Sequence, residues 1–187
     1  VRGLPYCPVD EAPRFDRLTL EPYAGSGSAR FQIPTSDGKL RDAERAGVFR
    51  IELGGATQAL TGYTFASGDS ASVFVPFLDG TSGTESYGAG RYLDLYVEED
   101  GTYTLDFNLA YHPSCVYDTR FSCPLTPAET RLPVRREARE HLPPHHAGWI
   151  TSERQRRSTT GPCGLRARPL GRQARETERA RPTSHGD

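Results

Sequence analysis

The feature that most constrains the fold is an alternation of apolar and polar residues that recurs in short segments of the chain. Residues 102–109 show it most clearly, because every second residue from Tyr103 to Leu109 is apolar and those between are polar. Successive side chains of a strand point to opposite sides, so a period of two predicts a strand with one buried face. Segments of this kind, or of continuous apolar character, predict strands at 17–21, 29–35, 39–43, 47–53, 57–65, 72–78, 91–97 and 102–109.

Glycine-containing dipeptides between these segments indicate how the strands are connected. Asp-Gly and Gly-Gly pairs favour the two-residue type I′ turn of a β-hairpin, because that turn requires positive φ angles. One alternative stays open, in which residues 40–46 form a helical turn instead of a strand. Sequential hairpins between about eight short strands predict an all-β domain, a small and mainly antiparallel barrel or sandwich, and we favour a meander-like barrel. The three candidate turns are Asp37-Gly38, Gly54-Gly55 and Asp100-Gly101.

The composition divides the chain into two parts that differ in charge and in apolar content. Residues 1–134 contain every Phe and Tyr, and their acidic residues outnumber their basic ones by seven. Residues 135–187 contain twelve Arg, no Lys and only four residues of the Val, Ile, Leu and Phe types. So few apolar side chains cannot offset the conformational entropy lost on ordering, which is roughly 1–2 kcal/mol per residue. We therefore expect a β domain over 1–134 and a disordered Arg-rich tail over 135–187.

No segment of the sequence predicts an association with a membrane. A run of about 18 apolar residues, which would suggest a transmembrane helix, is absent from the sequence. The start of the chain lacks the basic and then apolar pattern of a secretory signal peptide, so a cytoplasmic location is expected. The first residue is Val1 and the sequence contains no Met, which either a non-Met start codon or a truncated N-terminus would explain.

Three long motifs give the β domain a family resemblance. They are GLPYCPVDEAPRF at 3–15, FLDGTSGTESYGAGRYLDL at 77–95 and LDFNLAYHPSCVYDTRFSCPLTPAETRL at 105–132. Over roughly residues 3–134 the chain resembles a bacterial and archaeal family described only as a domain of unknown function, DUF1684. The resemblance implies no particular activity, because the family has no settled one. The chain departs from the family pattern at His112 and Thr130, where members tend to carry Asn.

The end of the chain departs further from that family. Members usually end soon after the LPV segment, whereas here Val134 is followed by RREAREHLPPHH. Arg-rich, Lys-free and apolar-poor sequence is what a shifted reading frame in GC-rich DNA would give, so we hypothesise that residues after about 135 are non-native. The other hypothesis is an arm that binds nucleic acid, since Arg neutralises phosphates. The acids interspersed among the Arg, and the single aromatic residue Trp149, argue against that partner.

The candidate site lies around the Gly-rich loop 79–90 and the strand that follows it. Backbone N–H groups of Gly-rich loops can bind phosphate, but this loop lacks the Gly-Lys-Ser/Thr of a P-loop, and a long structural turn is the alternative. Arg91 shares a predicted strand face with apolar residues and needs a partner, for which Asp106 is the candidate acid. That pair either only stabilises the sheet or contributes to a polar pocket at one end of the barrel. The predicted ligand-binding pocket consists of Asp79, Glu85, Tyr87, Arg91, Asp106, Asn108 and Tyr111.

Cys115 and Cys123 are candidates for sulfur chemistry in the irregular segment after the last predicted strand. Seven residues separate them, so a disulfide is possible, but spacing alone does not establish one. With His112 they form the pattern H-x2-C-x7-C, which could supply three zinc ligands but lacks the paired C-x2-C knuckles of a strong zinc motif. We predict no metal site, and buried or free thiols are the third possibility. The sequence identifies no cofactor.

Three functional hypotheses follow from these residues. The favoured one is a binding module that takes a small molecule in the polar pocket, as β-barrels of this size often do. The second is an enzyme that uses the same pocket for acid/base chemistry, and the sequence leaves undecided whether the protein is an enzyme. The third is a structural or interaction domain without a ligand. A loop acid is more often solvated than catalytic, and residues 1–134 contain a single histidine, His112.

Overall fold

A computed structural model describes residues 14–66 and 72–136. The described part of the chain forms seven strands and three 3-10 helices, and the helices span Phe107–Leu109, Ser114–Val116 and Ala128–Thr130. The predicted tail lies outside the described residues apart from Arg135 and Arg136, so its disorder and its boundary at 134 stay predictions. The strands are β1 (Arg14–Leu18), β2 (Arg30–Pro34), β3 (Leu40–Leu53), β4 (Ala56–Thr64), β5 (Ser72–Phe77), β6 (Arg91–Tyr96) and β7 (Tyr103–Asp106).

The strands form two antiparallel sheets. Strands β2, β3, β4, β5 and β6 follow one another in a five-stranded meander, and β1 pairs with β7 in a second sheet of two strands. The prediction of a mainly antiparallel all-β domain is confirmed, and no helix of the described residues is long and apolar enough to cross a membrane. The favoured barrel is wrong, because the sheets of the described residues do not close into one. The physical reason is that β7 pairs with β1 in a separate sheet instead of extending the meander beyond β6, so the five-stranded sheet stays open.

Strand β3 merges two segments that the sequence analysis separated. The predicted strands 39–43 and 47–53 form one strand of 14 residues, and the helical turn considered for residues 40–46 is wrong. A change of register between Arg45 and Gly47 interrupts the pairing with β4 and explains the break in alternation. A side chain at Gly47 would collide with the Glu21 carbonyl oxygen and with Leu20, so this position requires glycine for close approach.

Turns occur at all three glycine-containing dipeptides, but the predicted type I′ geometry is confirmed only at Gly54-Gly55. Gly54 and Gly55 have φ angles of 66° and 79° and connect β3 to β4, as a type I′ turn requires. Asp37-Gly38 connects β2 to β3, and Asp100-Gly101 connects β6 to β7. The type I′ prediction is wrong for these two turns, because Gly38 and Gly101 have positive φ angles but Asp37 and Asp100 do not. Strand β7 ends at Asp106, three residues earlier than predicted. Its carboxylate accepts hydrogen bonds from the backbone N–H of Asn108 (2.8 Å) and from the Asn108 amide (2.9 Å), and so caps a 3-10 helix.

The five-stranded sheet has one face toward the two-stranded sheet and one face toward the irregular segment 111–132. We call the first the core face, because its apolar side chains pack with those of β1 and β7. We call the second the cover face. The core face carries Phe49, Ile51, Leu60, Val73, Val75, Phe77, Leu93 and Leu95, and the cover face carries Ile33, Ala43, Tyr63, Phe74 and Tyr92.

Candidate functional site

The seven residues of the predicted pocket are distributed among three separate clusters. Asp79, Glu85 and Arg91 bond within or beside the loop 79–90. Asp106 and Asn108 bond to each other at the end of β7. Tyr87 and Tyr111 belong to a third cluster around Tyr92 on the cover face.

Arg91 forms a buried ion pair with Asp79. Arg91 Nη2 lies 3.1 Å from Asp79 Oδ2, and the two side chains are 2% and 0% exposed. The predicted Arg91–Asp106 pair is wrong, since Asp106 lies 4.0 Å from Arg14 Nη1 in the other sheet. The register explains the choice of acid. Phe77 at the end of β5 is opposite Arg91, so the chain places Asp79, two residues later, beside the guanidinium.

The carboxylate of Asp79 is surrounded by donors from the protein. Oδ1 accepts from the Thr81 backbone N–H (3.1 Å), the Thr81 hydroxyl (2.7 Å) and the Ser82 hydroxyl (3.2 Å). Oδ2 accepts from Arg91 and from the backbone N–H of Arg136. A carboxylate has about four lone-pair sites, so these donors occupy its capacity. Asp79 therefore anchors the loop to the chain at Arg136, and Arg91 strengthens the link by donating to the Arg136 carbonyl oxygen at 2.6 Å.

The loop 79–90 is a turn that uses its own backbone donors. The N–H groups of Thr84, Glu85 and Ser86 all donate to the Thr81 carbonyl oxygen, at 2.9 to 3.1 Å. The Gly83 N–H donates to Ser86, and the Gly80 N–H donates to Val134. Groups bonded in this way do not point at a phosphate, so the geometry favours the structural turn over the phosphate-binding loop.

A partly exposed aromatic surface lies on the cover face where β6 forms the edge of the sheet. Tyr92, Asp94 and Tyr96 alternate on this face, and Tyr111 bonds back to Tyr92 through both backbone groups, at 2.9 and 3.0 Å. The rings of Tyr92 and Tyr111 are perpendicular with centroids 5.7 Å apart, and Tyr111 Oη donates to Asp94 Oδ2 at 2.6 Å. We call Tyr92, Asp94, Tyr96 and Tyr111 the aromatic edge. Burial and the bond to Asp94 raise the pKa of Tyr111, so its phenol stays protonated.

The sequence analysis identified only Tyr111 from this surface. The signal for the others was the alternation in GRYLDL, which places Tyr92 and Asp94 on the face opposite Arg91. The predicted pocket was centred instead on Arg91, the charged residue on the apolar face, and that residue is buried in the core.

A second cluster that the sequence analysis missed joins the cover face to the segment above it. Glu129 accepts two hydrogen bonds from the Arg45 guanidinium (2.7 and 3.2 Å) and one from the Tyr63 hydroxyl (2.7 Å). The guanidinium carbon also lies 4.0 Å from the ring centroid of Phe31 and 5.1 Å from that of Tyr23. Burial alone would raise the pKa of Glu129, but the bonds from Arg45 and Tyr63 outweigh it and lower the pKa. Glu129 is therefore an ionised carboxylate that is hydrogen-bonded to both Arg45 and Tyr63.

Cys115 and Cys123 are neighbours beneath the aromatic edge, and both are free thiols. The Cys115 backbone N–H donates to Cys123 Sγ at 3.3 Å. Burial and the neighbouring Cys115 raise the pKa of Tyr87. Burial raises the pKa of Cys123 to about 11. His112, three residues before Cys115, is also buried. Within residues 14–66 and 72–136, however, no group of three or more His, Cys, Asp or Glu is arranged so that it could hold a metal ion.

Comparisons with known proteins agree with the resemblance seen in the sequence. The family model described as protein of unknown function (DUF1684) matches residues 1–141. The solution NMR structure of the uncharacterized protein from gene locus rrnAC0354 of Haloarcula marismortui is similar to this chain, with 35% sequence identity and a TM-score of 0.56. The similarity covers 75% of this chain and 76% of that one. No curated protein matches.

Proposed function

The chain belongs to the DUF1684 family of proteins of unknown function, and we propose that its β domain is a binding module that takes a small organic cation at the aromatic edge. The observation that carries this proposal is the exposed carboxylate of Asp94, which accepts from Tyr111 and shares a strand face with Tyr92 and Tyr96. Tyr96 is 58% exposed two residues from Asp94, and Tyr111 holds one carboxylate oxygen. Aromatic rings and a carboxylate are the groups that recognise an organic cation.

The charge of the surroundings supports a cation as the ligand. Aromatic faces carry partial negative charge, and the acidic residues Glu98, Glu99 and Asp100 follow the aromatic edge along the chain. Arg17 offsets one of these charges through an exposed ion pair with Asp100 at 3.5 Å. The excess of seven acidic residues within 1–134 gives the domain a field that attracts cations.

The enzyme hypothesis has less support from the geometry. General acid/base catalysis needs a group that can reach the substrate with a pKa near the working pH. The carboxylates of Asp79 and Glu129 are instead occupied by donors of the protein. The polar pocket of seven residues stays a prediction. Tyr111 is the residue that it shares with the aromatic edge.

Choline provides a direct test, because it is a small quaternary ammonium compound with a neutral analogue of the same shape. In 3,3-dimethyl-1-butanol, carbon replaces the charged nitrogen. We expect choline to shift the tyrosine ring signals of the aromatic edge in NMR titrations until they saturate, and the neutral analogue to have little effect. Equal shifts with both compounds, or no saturable shift with choline, would contradict the proposal.

Substitution of Tyr96 locates the binding surface. We expect Tyr96→Leu to weaken choline binding about two- to fivefold, the equivalent of roughly 0.5–1 kcal/mol for a cation–π contact at an exposed site. Tyr117→Leu is the matched control, because Tyr117 is another exposed tyrosine outside the aromatic edge. Equal affinities of Tyr96→Leu and the unsubstituted chain would exclude the aromatic edge as the site.

A further inference from the structure

The thiols of Cys115 and Cys123 are held together by elements that are themselves fixed. Cys115 lies in the 3-10 helix Ser114–Val116, which is closed by bonds from Val116 N–H to Pro113 and from Tyr117 N–H to Ser114, both at 3.0 Å. Cys123 is bonded through its backbone to Ser36 of the β2–β3 turn, at 2.8 and 3.0 Å. The Cys115 backbone N–H donates to Cys123 Sγ at 3.3 Å, which places the Cys123 sulfur directly beside Cys115. The Cys123 sulfur is thus held close to the Cys115 side chain.

The two thiols differ in access to solvent. Cys115 is partly exposed, whereas Cys123 is only 8% exposed, beside the carbonyl of Pro124 that accepts the Tyr92 hydroxyl. A reagent in solution therefore meets Cys115 first. The Cys123 sulfur accepts a hydrogen bond from the Cys115 backbone and is therefore positioned to react next.

We propose that Cys115 and Cys123 are a redox-active pair that forms an intramolecular disulfide with a small-molecule disulfide such as oxidised glutathione. The thiolate of Cys115 attacks one sulfur of the glutathione disulfide, and the first glutathione thiolate leaves. The thiolate of Cys123 then attacks Cys115 Sγ and expels the second glutathione thiolate. Two protein thiols are oxidised, one glutathione disulfide is reduced to two thiols, and the two protons pass to the leaving groups.

The packing of the two residues supports a disulfide over a simple pair of buried thiols. A disulfide requires the Cβ atoms to approach within about 3.5–4.5 Å, and the hydrogen bond from the Cys115 backbone N–H to Cys123 Sγ at 3.3 Å brings that sulfur beside Cys115. Burial raises the pKa of the Cys123 thiol, so the second step depends on the small thiolate fraction of Cys123 and accelerates as the pH rises.

Tryptic digestion reports the disulfide directly, because Arg120 lies between the two cysteines. The full chain is incubated with oxidised glutathione, blocked with iodoacetamide and digested without reduction. We expect mass spectrometry to find most of Cys115 in peptide 92–120 linked to peptide 121–131, and the two peptides to separate after reduction. The chain carrying Cys7→Ser and Cys163→Ser is expected to give the same linked pair, since those cysteines take no part.

Single substitutions separate the two steps of the reaction. We expect Cys123→Ser to stop at a mixed disulfide of Cys115 with glutathione, and Cys115→Ser to leave Cys123 largely unmodified. The unsubstituted chain keeps the test decisive if a variant fails to fold. Accumulation of glutathione on Cys115 in the unsubstituted chain without the linked peptides, or no oxidation of either thiol, would overturn the proposal.

Discussion

On the core face of the five-stranded sheet, Arg91 and Asp79 are 2% and 0% exposed, whereas Arg45 and Glu129 on the cover face are 10% and 34% exposed. Both pairs join an arginine on a strand to an acid in a connecting segment. The core pair is sealed by hydroxyl and backbone donors, but the cover pair keeps one side toward solvent. Farther along the cover face, Asp94 is exposed and has an aromatic neighbour on each side. This difference indicates that the candidate site lies at the solvent-exposed charge of Asp94 and not at Arg91, whose charge is the more unusual one in the sequence.

The largest effect is expected from breaking the sealed pair. We expect Asp79→Ala to lower the free energy of unfolding by about 3–5 kcal/mol, because it leaves the Arg91 guanidinium buried without its acid. Urea denaturation measures the change. The double variant with Arg91→Leu should recover part of the loss, since both buried charges are then removed. A loss below about 1 kcal/mol in Asp79→Ala would show that the pair is less sealed than its burial indicates.

A smaller effect is expected from the cover pair. We expect Tyr63→Phe to lower the free energy of unfolding by about 1–2 kcal/mol, because Glu129 loses one charge-assisted hydrogen bond but keeps both bonds from Arg45. The same urea experiment applies, with Tyr117→Phe as a control for removing the hydroxyl of a partly exposed tyrosine. If Tyr63→Phe costs as much as Asp79→Ala, the two faces do not differ as the exposures suggest.

The smallest effect concerns alkaline pH and the tyrosines of the cover face. Burial raises the pKa of Tyr92 above the value of about 10 that an unfolded tyrosine has. Above pH 10 the unfolded state therefore binds fewer protons than the folded state, and the free energy of unfolding falls as the pH rises. We expect this fall to be less steep in Tyr92→Phe than in the unsubstituted chain when urea denaturation is repeated between pH 9 and pH 11. Parallel pH profiles would contradict a buried, protonated Tyr92.

The sequence predicted the local elements better than the contacts between them. The turn at Gly54-Gly55 and the strand after it depend on neighbours in sequence, and both are confirmed. The partner of Arg91 depends on which strand lies beside β6, and the alternation in residues 102–109 carries no information about that. The aromatic edge could be predicted from the sequence only in part, because the alternation of β6 assigns Tyr92 and Asp94 to one face. Tyr111 joins them only through the backbone bridge to Tyr92, which the irregular segment does not encode as a pattern.

The contact between Asp79 and Arg136 has a consequence for the order of folding. Hairpins such as β3–β4 join neighbouring residues and can form as soon as both strands have been synthesised. The parallel bridge between Leu78 and Arg131, by contrast, closes a long segment of chain, and Asp79 gains its last backbone donor only when Arg136 arrives. Contacts of long sequence separation form late because the loop entropy must first be overcome. We therefore expect the hydrogen bonds of the Asp79 carboxylate to form late in folding, so that they slow unfolding more than they accelerate folding. Stopped-flow kinetics of Asp79→Ala would measure both rates.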